Sequence, residues 1–413
     1  MERRLVLTTT GTRIAQAVIM YRSPSDIVSF PFPDVICLSH LRWQFVFQRP
    51  QHLMTRYARR QRVFFVEEPV CDDVVDVEIK VEPRDGVFVV VPVLPRSFSR
   101  EQSIRAQRLV LDTLIATHGI NRYILWYYTP MALAFSDHLS PIAVVYDCMD
   151  ELSAFKNAPA ELRTREQALM RIADVMLAGG RSLFEAKRHQ HPNVHALPSS
   201  VDVTHFRTAR TIQEEPLDQY KIPTPRLGFF GVLDERLDIP LLDKIAEARP
   251  DWQWMLLGPI VKIDPSELPR RPNIHYLGPK PYEQLPAYLA GWNAALLLFA
   301  RNEATRFISP TKTPEYLAAG KPVISTSIAD VVNPYGERGL VWIADDPSAF
   351  IDACEQALTE PAGVRQARAD LFLSSMSWDR TWSKSAALLD EAIAAKSAVL
   401  KRRPEASLAS EAR

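Results

Sequence analysis

The segment Thr311-Lys312-Thr313-Pro314-Glu315 concentrates residue types that could do chemistry. It precedes an apolar-periodic stretch and reads as the start of a helix over Thr313–Ala319. Free N–H groups and the positive dipole end make a helix start a ready site for an anion such as a diphosphate. Lys312 either contributes its charge there or is a solvated surface lysine. Glu315 either complements the helix dipole or accepts hydrogen bonds from hydroxyl groups. Arg236 follows the apolar run that ends at Gly231; it is either a free cation or the partner of Asp234 or Asp238. Asp147 and Asp150 flank the end of another apolar run. A carboxylate there can bind a hydroxyl or act as a base, and Asp150 can equally be an N-cap. His40, Arg42, Arg49, Gln51 and His52 follow Val35–Leu38, and Glu67-Glu68 follow Val63–Val66. His189, His191 and His195 lack a metal-ligand spacing and a carboxylate partner, so they read as a surface loop.

The elements that position these groups are short. Apolar runs at 35–38, 63–66, 87–93, 123–126, 143–146, 175–178 and 194–197 predict strands, with 77–81 a pairing partner for 87–93. Amphipathic stretches at 50–60, 102–118, 161–173 and 182–189 predict helices between them. The pattern restarts after Pro223-Thr224-Pro225. Strands are expected at 227–231, 254–257, 274–277, 294–299, 322–326 and 341–344, and helices at 241–248, 282–290, 313–319, 349–358 and 364–374. Such alternation indicates parallel sheets covered on both faces. The fold class is therefore α/β: two doubly wound, Rossmann-like parallel-sheet domains facing a cleft. The expected division is an N-terminal extension (1–33), a first domain (34–208), a second domain (209–377), a closing helix (378–398) and a polar tail (399–413). In open α/β sheets ligands bind beyond the carboxyl ends of strands, which is where the candidate residues stand.

Composition removes several alternatives. Forty-nine Lys+Arg balance 49 Asp+Glu, which argues against a nucleic-acid binder. Glycine numbers 14 in 413 residues, about half the ~7% of average proteins. No G-x-G-x-x-G or G-x-x-x-x-G-K-[ST] occurs, so neither a dinucleotide enzyme nor a P-loop NTPase is expected. Cys37, Cys71, Cys148 and Cys354 are scattered and read as reduced, mostly buried thiols of a cytosolic protein. No apolar stretch approaches the ~20 residues of a membrane span, and the opening residues do not read as a secretory signal. Eight of the 14 glycines fall between Gly228 and Gly339, which points to the second domain as the one that approaches phosphates.

The second half carries a series whose order and spacing resemble a known family. It runs Phe229-Phe230-Gly231-Val232-Leu233-Asp234-Glu235-Arg236, then Met255-Leu256-Leu257-Gly258-Pro259, then Asn273-Ile274-His275-Tyr276-Leu277-Gly278, and closes with Ser309-Pro310-Thr311-Lys312-Thr313-Pro314-Glu315-Tyr316-Leu317-Ala318-Ala319-Gly320. This resembles the donor domain of GT-B glycosyltransferases of the group-1/group-4 retaining kind. Gln48-Arg49-Pro50-Gln51-His52 and Tyr146-Asp147-Cys148-Met149-Asp150 are similar to a bacterial branch linked to surface-polysaccharide synthesis. The likeness spans roughly residues 34–395. It implies a metal-independent hexosyltransferase-like enzyme with no resident cofactor, whose co-substrate is a nucleotide diphosphate sugar. The acceptor would be a polysaccharide or lipid-linked glycan, and the location cytoplasmic, with Arg59-Arg60 either at the inner membrane face or merely solvated.

Carried over by position, the resemblance assigns donor binding to Gly231, Arg236, Gly278, Pro279, Tyr282, Thr311, Lys312, Thr313 and Glu315. Glu315 would hold the ribose, and Arg236 and Lys312 would stabilise the departing diphosphate. Asp147 and Asp150 would join these two cations in catalysis. His40, Arg49, His52 and Glu67 would meet the acceptor. Three departures stand out. Phe307 occupies the place of the family's first paired glutamate, with Glu303 further upstream. Ser39-His40-Leu41-Arg42-Trp43-Gln44 replaces a glycine-rich loop, and Val232 replaces an arginine. The same scaffold would also suit a nucleotide-sugar epimerase or hydrolase, or a non-catalytic binding subunit.

Overall fold

The computed structural model describes residues 3–7 and 31–410. Ten strands form the first sheet: β1 (Arg3–Leu7), β2 (Asp34–Leu38), β3 (Val63–Val66), β4 (Val70–Asp72), β5 (Val77–Arg84), β6 (Val87–Pro95), β7 (Tyr123–Tyr127), β8 (Ala143–Cys148), β9 (Val175–Ala178) and β10 (Val194–Ala196). Their order is β1-β5-β6-β3-β2-β7-β8-β9-β10, with β4 on β6. The strands from β3 to β10 in that order are parallel; β5 runs antiparallel to β1 and β6. The central strands are buried along their whole length, as continuous apolar runs require when helices cover both faces. Those helices are α1 (Arg49–Tyr57), α2 (Arg100–Thr117), α3 (Leu133–Ser136), α4 (Leu162–Ile172) and α5 (Arg181–Lys187). α2 starts sharply because the Ser99 hydroxyl accepts from the Gln102 N–H while the Gln102 side chain accepts from the Ser99 N–H.

The second sheet is wholly parallel, in the order β13-β12-β11-β14-β15-β16. It contains β11 (Arg226–Phe230), β12 (Gln253–Leu257), β13 (Ile274–Gly278), β14 (Ala294–Leu297), β15 (Val323–Ser325) and β16 (Trp342–Ile343). Around it lie α6 (Val203–Arg207), α7 (Leu217–Tyr220), α8 (Ile239–Ala248), α9 (Leu285–Ala290), α10 (Lys312–Ala318), α11 (Ala329–Val331), α12 (Pro347–Thr359) and α13 (Ala362–Leu373). The last helix, α14 (Trp378–Ser410), returns to the first domain. There Trp378 is buried in the first core, Ser385 Oγ lies 3.0 Å from Tyr57 Oη, and Lys396 pairs with Asp174 at 2.8 Å.

Three details differ from the sequence reading. Residues 3–7 add an edge strand, with Leu5 opposite Ile79; residues 8–30 lie outside the described residues. The helix expected at 282–290 begins as a 3-10 turn over Tyr282–Gln284. The stretch read as a polar tail from residue 399 continues α14 to Ser410, and residues 411–413 are outside the description.

Candidate active site

The cleft lies between the carboxyl ends of the two sheets. On its second-domain side, α10 is fastened over the end of β11. The Tyr316 hydroxyl accepts from the Phe230 N–H at 2.9 Å, and the two rings meet edge to face at 4.9 Å. This carries Lys312 directly over Gly231, whose φ of +145° suits glycine. A Cβ there would collide with Lys312 Cε and lie 2.9 Å from its Nζ. Gly258, at φ +146°, is equally constrained, because a Cβ would strike the Gly231 carbonyl.

Glu315 is buried and Lys312 half-buried, yet neither side chain has a hydrogen bond or ion pair among the described residues. Burial lowers the Lys312 pKa, partly offset by Glu315. Burial pushes the Glu315 carboxyl up to about 7 against the pull of Lys312. The Thr313 hydroxyl is also buried without a partner. The backbone departs from expectation here. α10 has only seven residues, the Thr313 N–H donates to Pro310 O, and Pro314 has no N–H. The start of α10 therefore offers the Lys312 side chain rather than a row of free amides.

Arg236 points into the same space. Asp234 grips it along one guanidinium edge, Nε at 3.0 Å and a second nitrogen at 2.7 Å. Desolvation opposes its charge, but the Asp234 contacts raise its pKa overall. The cation also sits 5.4 Å from the Phe155 ring of the first domain. The pairing with Asp234 and the orientation toward the cleft therefore coexist. Of the two partners the sequence offered, Asp234 takes Arg236, while Asp238 accepts from the Leu241 N–H at the start of α8.

On the first-domain side, Asp147 and Asp150 part company. Asp147 is fully buried within β8. Its carboxylate takes Arg49 Nε at 3.0 and 3.1 Å and a second Arg49 nitrogen at 2.8 Å. Arg49 also donates to Leu197 O at 2.7 Å. Burial raises the Asp147 pKa and Arg49 opposes it. The catalytic reading of Asp147 is corrected: no face of the carboxylate is left for a substrate, and it positions Arg49 instead. Asp150, beyond the strand end, stays half-buried in the cleft. Burial pushes it up to about 6, against Arg236, Arg49 and Lys312. Asp150, Arg49, Arg236, Ser309 and Thr311 line one interdomain cavity of about 80 Å³. Ligand sites measure roughly 300–1,000 Å³, so a large ligand requires the domains to part.

The other acceptor candidates scatter. Arg49 sits in the cleft floor as described. His52 is buried away from the first-domain crevice, stacked on Trp378 at 4.3 Å and edge-on to Phe47 and Tyr282. Burial takes its pKa well below 6.5, so it is a neutral packing residue, not an acceptor ligand. Tyr282 joins that aromatic seam, stacked on His205 at 4.4 Å with its hydroxyl unpartnered. Gly278 and Pro279 end β13 just before it, with the Gly278 carbonyl accepting from the Gly258 N–H. Phe47, His205 and Trp378 were not singled out in the sequence, because nothing local pairs them. His40 follows β2; burial lowers its pKa to about 4, and its Nδ1 has no partner. Glu67 lines a crevice of about 320 Å³ at the ends of β2, β3 and β7. Its carboxylate is nonetheless held by Arg42 at 3.0 Å and by the Trp43 N–H at 2.8 Å, so it shapes the crevice.

Elsewhere, the domains are latched by Asp330, which accepts from the Arg181 and Ser182 N–H groups at 2.8 and 2.9 Å. Phe307 packs against the first domain's core, and Glu303 is exposed beside Arg306. His191 and His195 bond Ala173 O and Asn193. Among the described residues no group of three or more His, Cys, Asp or Glu could hold a metal ion, and no helix is long and apolar enough to cross a membrane. The four cysteines are free, with Cys71 the exposed one.

The sequence and the fold are similar to those of known proteins. Residues 224–360 match the family described as Glycosyl transferases group 1. A Bacillus subtilis (strain 168) protein, assigned to teichuronic acid biosynthesis as glycosyltransferase TuaH, is 26% identical over 269 residues, covering 60% of this chain and 67% of that protein. An Escherichia coli trehalose-6-phosphate structure bound with UDP-2-fluoro glucose superposes at TM-score 0.65 and 10% identity, covering 86% of this chain and 98% of that one. HepE of Anabaena, in complex with UDP and glucose, superposes at TM-score 0.61 and 15% identity, covering 86% and 99%.

Proposed function

We propose that this glycosyltransferase, a GT-B fold whose residues 224–360 belong to the group 1 glycosyl transferases, moves a sugar from a nucleotide diphosphate to a hydroxyl of a surface glycan. The observation that carries the donor reading is the pair Lys312, half-buried over Gly231, and buried Glu315, neither of which has a hydrogen bond or ion pair among the described residues. A buried charge without a partner costs free energy, and a nucleotide diphosphate supplies both missing partners. Its phosphates meet Lys312 and Arg236, and its ribose hydroxyls donate to Glu315. Asp150 accepts from a hydroxyl of the transferred sugar across the cleft.

In the transfer, the bond from the anomeric carbon to the phosphate oxygen breaks as the acceptor oxygen bonds to that carbon. The acceptor proton passes to the departing phosphate on the same face, so configuration is retained. Charge grows on the phosphate in this step, and Lys312 and Arg236, already fixed in a dry site, stabilise it without a metal ion. Parting of the domains admits substrates, and closure excludes water. The likeness to a protein of teichuronic acid biosynthesis supports a polysaccharide acceptor.

The test is a panel of UDP-, GDP- and dTDP-sugars in thermal shift, followed by product analysis with glycan acceptors. One nucleotide class should raise the melting temperature, and Glu315→Ala should abolish that rise. Absence of any shift defeats the reading. Donor turnover without an acceptor product would make the chain a hydrolase or epimerase instead.

A further inference from the structure

The first-domain crevice has a charge arrangement of its own. Its apolar lining includes Leu38, Val66, Ile104, Met131 and Phe135, a surface that suits the flat face of a sugar ring. Four charged residues stand around it: Glu67, Glu68, Arg100 and Arg165. Two are matched: Glu67 by Arg42 at 3.0 Å and Arg100 by Glu161 at 2.5 Å. Arg165 makes no hydrogen bond or ion pair through its guanidinium among the described residues, and its Nε is buried without a partner. The acids around it are taken: Glu161, which feels its charge, pairs with Arg100, and Asp137 of the neighbouring groove pairs with Arg108. The Glu68 side chain likewise has no hydrogen bond. The start of the 18-residue helix α2 faces the same space through Arg100, Ser103 and Gln107, and adds the positive end of its dipole.

Arg165 also borders a second hollow. A groove of about 470 Å³ shares Ile104, Ala134 and Arg165 with the crevice and continues past Ala168 to Arg171 and Ile172. The two together accommodate an end sugar and the chain behind it.

We infer that the acceptor is an anionic glycan, and that Arg165 binds a carboxylate or phosphate on its terminal sugar while Glu68 accepts from a hydroxyl of the same ring. The word acceptor rests on the transferase reading above; the anion site rests on the crevice alone. A planar guanidinium fits either anion through paired N–H donors.

The experiment titrates the full chain with D-glucose, D-glucuronate and glucose 6-phosphate by calorimetry, and with UDP, GDP and dTDP in parallel. At least one charged sugar should bind about tenfold or more tighter than glucose, the size of one charge-assisted hydrogen bond. Arg165→Gln should erase that preference and Arg165→Lys should keep part of it, both with unchanged nucleotide affinity. Glucuronate ahead assigns a carboxylate, and glucose 6-phosphate ahead assigns a phosphate; either supports the site. Equal or absent binding of the three sugars overturns it. So does a preference that survives Arg165→Gln, which would place the anion at Lys312. Failure of every nucleotide to bind would sink the transferase reading separately, whatever the sugars do.

Discussion

The two walls of the cleft treat their charges differently. On the first-domain floor, Arg49 is held by Asp147 and Leu197 O, and Arg42 by Glu67 and neighbouring carbonyls. On the second-domain wall, Glu315 and the Thr313 hydroxyl are buried and Lys312 is half-buried, and none of the three side chains has a hydrogen bond or ion pair among the described residues. Paired groups hold the shape of the cleft; unmatched ones wait for a ligand. Residue type did not separate the classes, since both walls offer Arg, Lys, Asp and Glu near strand ends. Arg165 is a first-domain exception, together with Asp150 and the His40 Nδ1.

The largest effect should come from breaking a matched pair. Removing one partner of a buried ion pair costs about 3–5 kcal/mol, because the other charge is stranded. Asp147→Leu should lower unfolding stability by that order in chemical denaturation. The double variant Arg49→Met with Asp147→Leu should recover most of it. If Asp147→Leu were instead stable but inactive, the pair would belong to catalysis and the contrast between the walls would collapse.

The unmatched wall should answer in the opposite way. Lys312→Met should keep or raise stability while kcat falls by roughly 10²–10³, the usual loss when one fixed group at a developing charge is removed. Initial rates at saturating donor measure this. A loss under threefold would leave Arg236 alone with the phosphate.

Much of the scaffold was legible because its strands are buried on both faces and so read as unbroken apolar runs: β2, β3, β7, β9, β11, β12 and β14. β1 was not, since its partner β5 lies some seventy residues away and nothing in residues 3–7 names it. The site was legible where one segment carries it, as from Thr311 to Glu315. It failed where chemistry depends on distant pairs. Asp147 and Asp150 are three residues apart and looked alike; only the presence of Arg49, 98 positions away, tells them apart. A physical hint existed, because Asp147 interrupts an apolar strand, and an acid inside such a strand must be paired. The aromatic seam of Phe47, His52, His205, Tyr282 and Trp378 draws on four separate stretches of chain and has no local signature.

Glu315 allows the contrast to be read in pH. Its carboxyl titrates near 7 in the fold against an ordinary 4.5. Between those values the folded chain holds the extra proton, so stability falls as pH rises through that window and stays low above it. The penalty at pH 8 is about 3 kcal/mol. Glu315→Gln should therefore stabilise the protein at pH 8 and leave it nearly unchanged at pH 4.5, while weakening donor binding. In the native protein donor affinity should fall as pH drops below 7, because a protonated Glu315 accepts fewer hydrogen bonds, and the glutamine variant should lose that slope. A Glu315→Gln protein no more stable at pH 8 would mean that the carboxylate has a partner after all.

The smallest effect belongs to Tyr282, on the seam between the walls. Its ring is held by His205 at 4.4 Å and Phe47 at 4.7 Å, contacts that phenylalanine preserves. Its hydroxyl is buried without a partner, so Tyr282→Phe removes an unsatisfied group and should raise stability by up to about 1 kcal/mol. If the hydroxyl is instead completed by the donor, as the unmatched groups of that wall are, donor affinity should weaken by about three- to tenfold in the same variant. Isothermal titration of the matched nucleotide sugar decides it. Unchanged affinity would move Tyr282 from the donor wall to the packing that joins the two domains, and the boundary between matched and unmatched residues would then run between Gly278 and Tyr282.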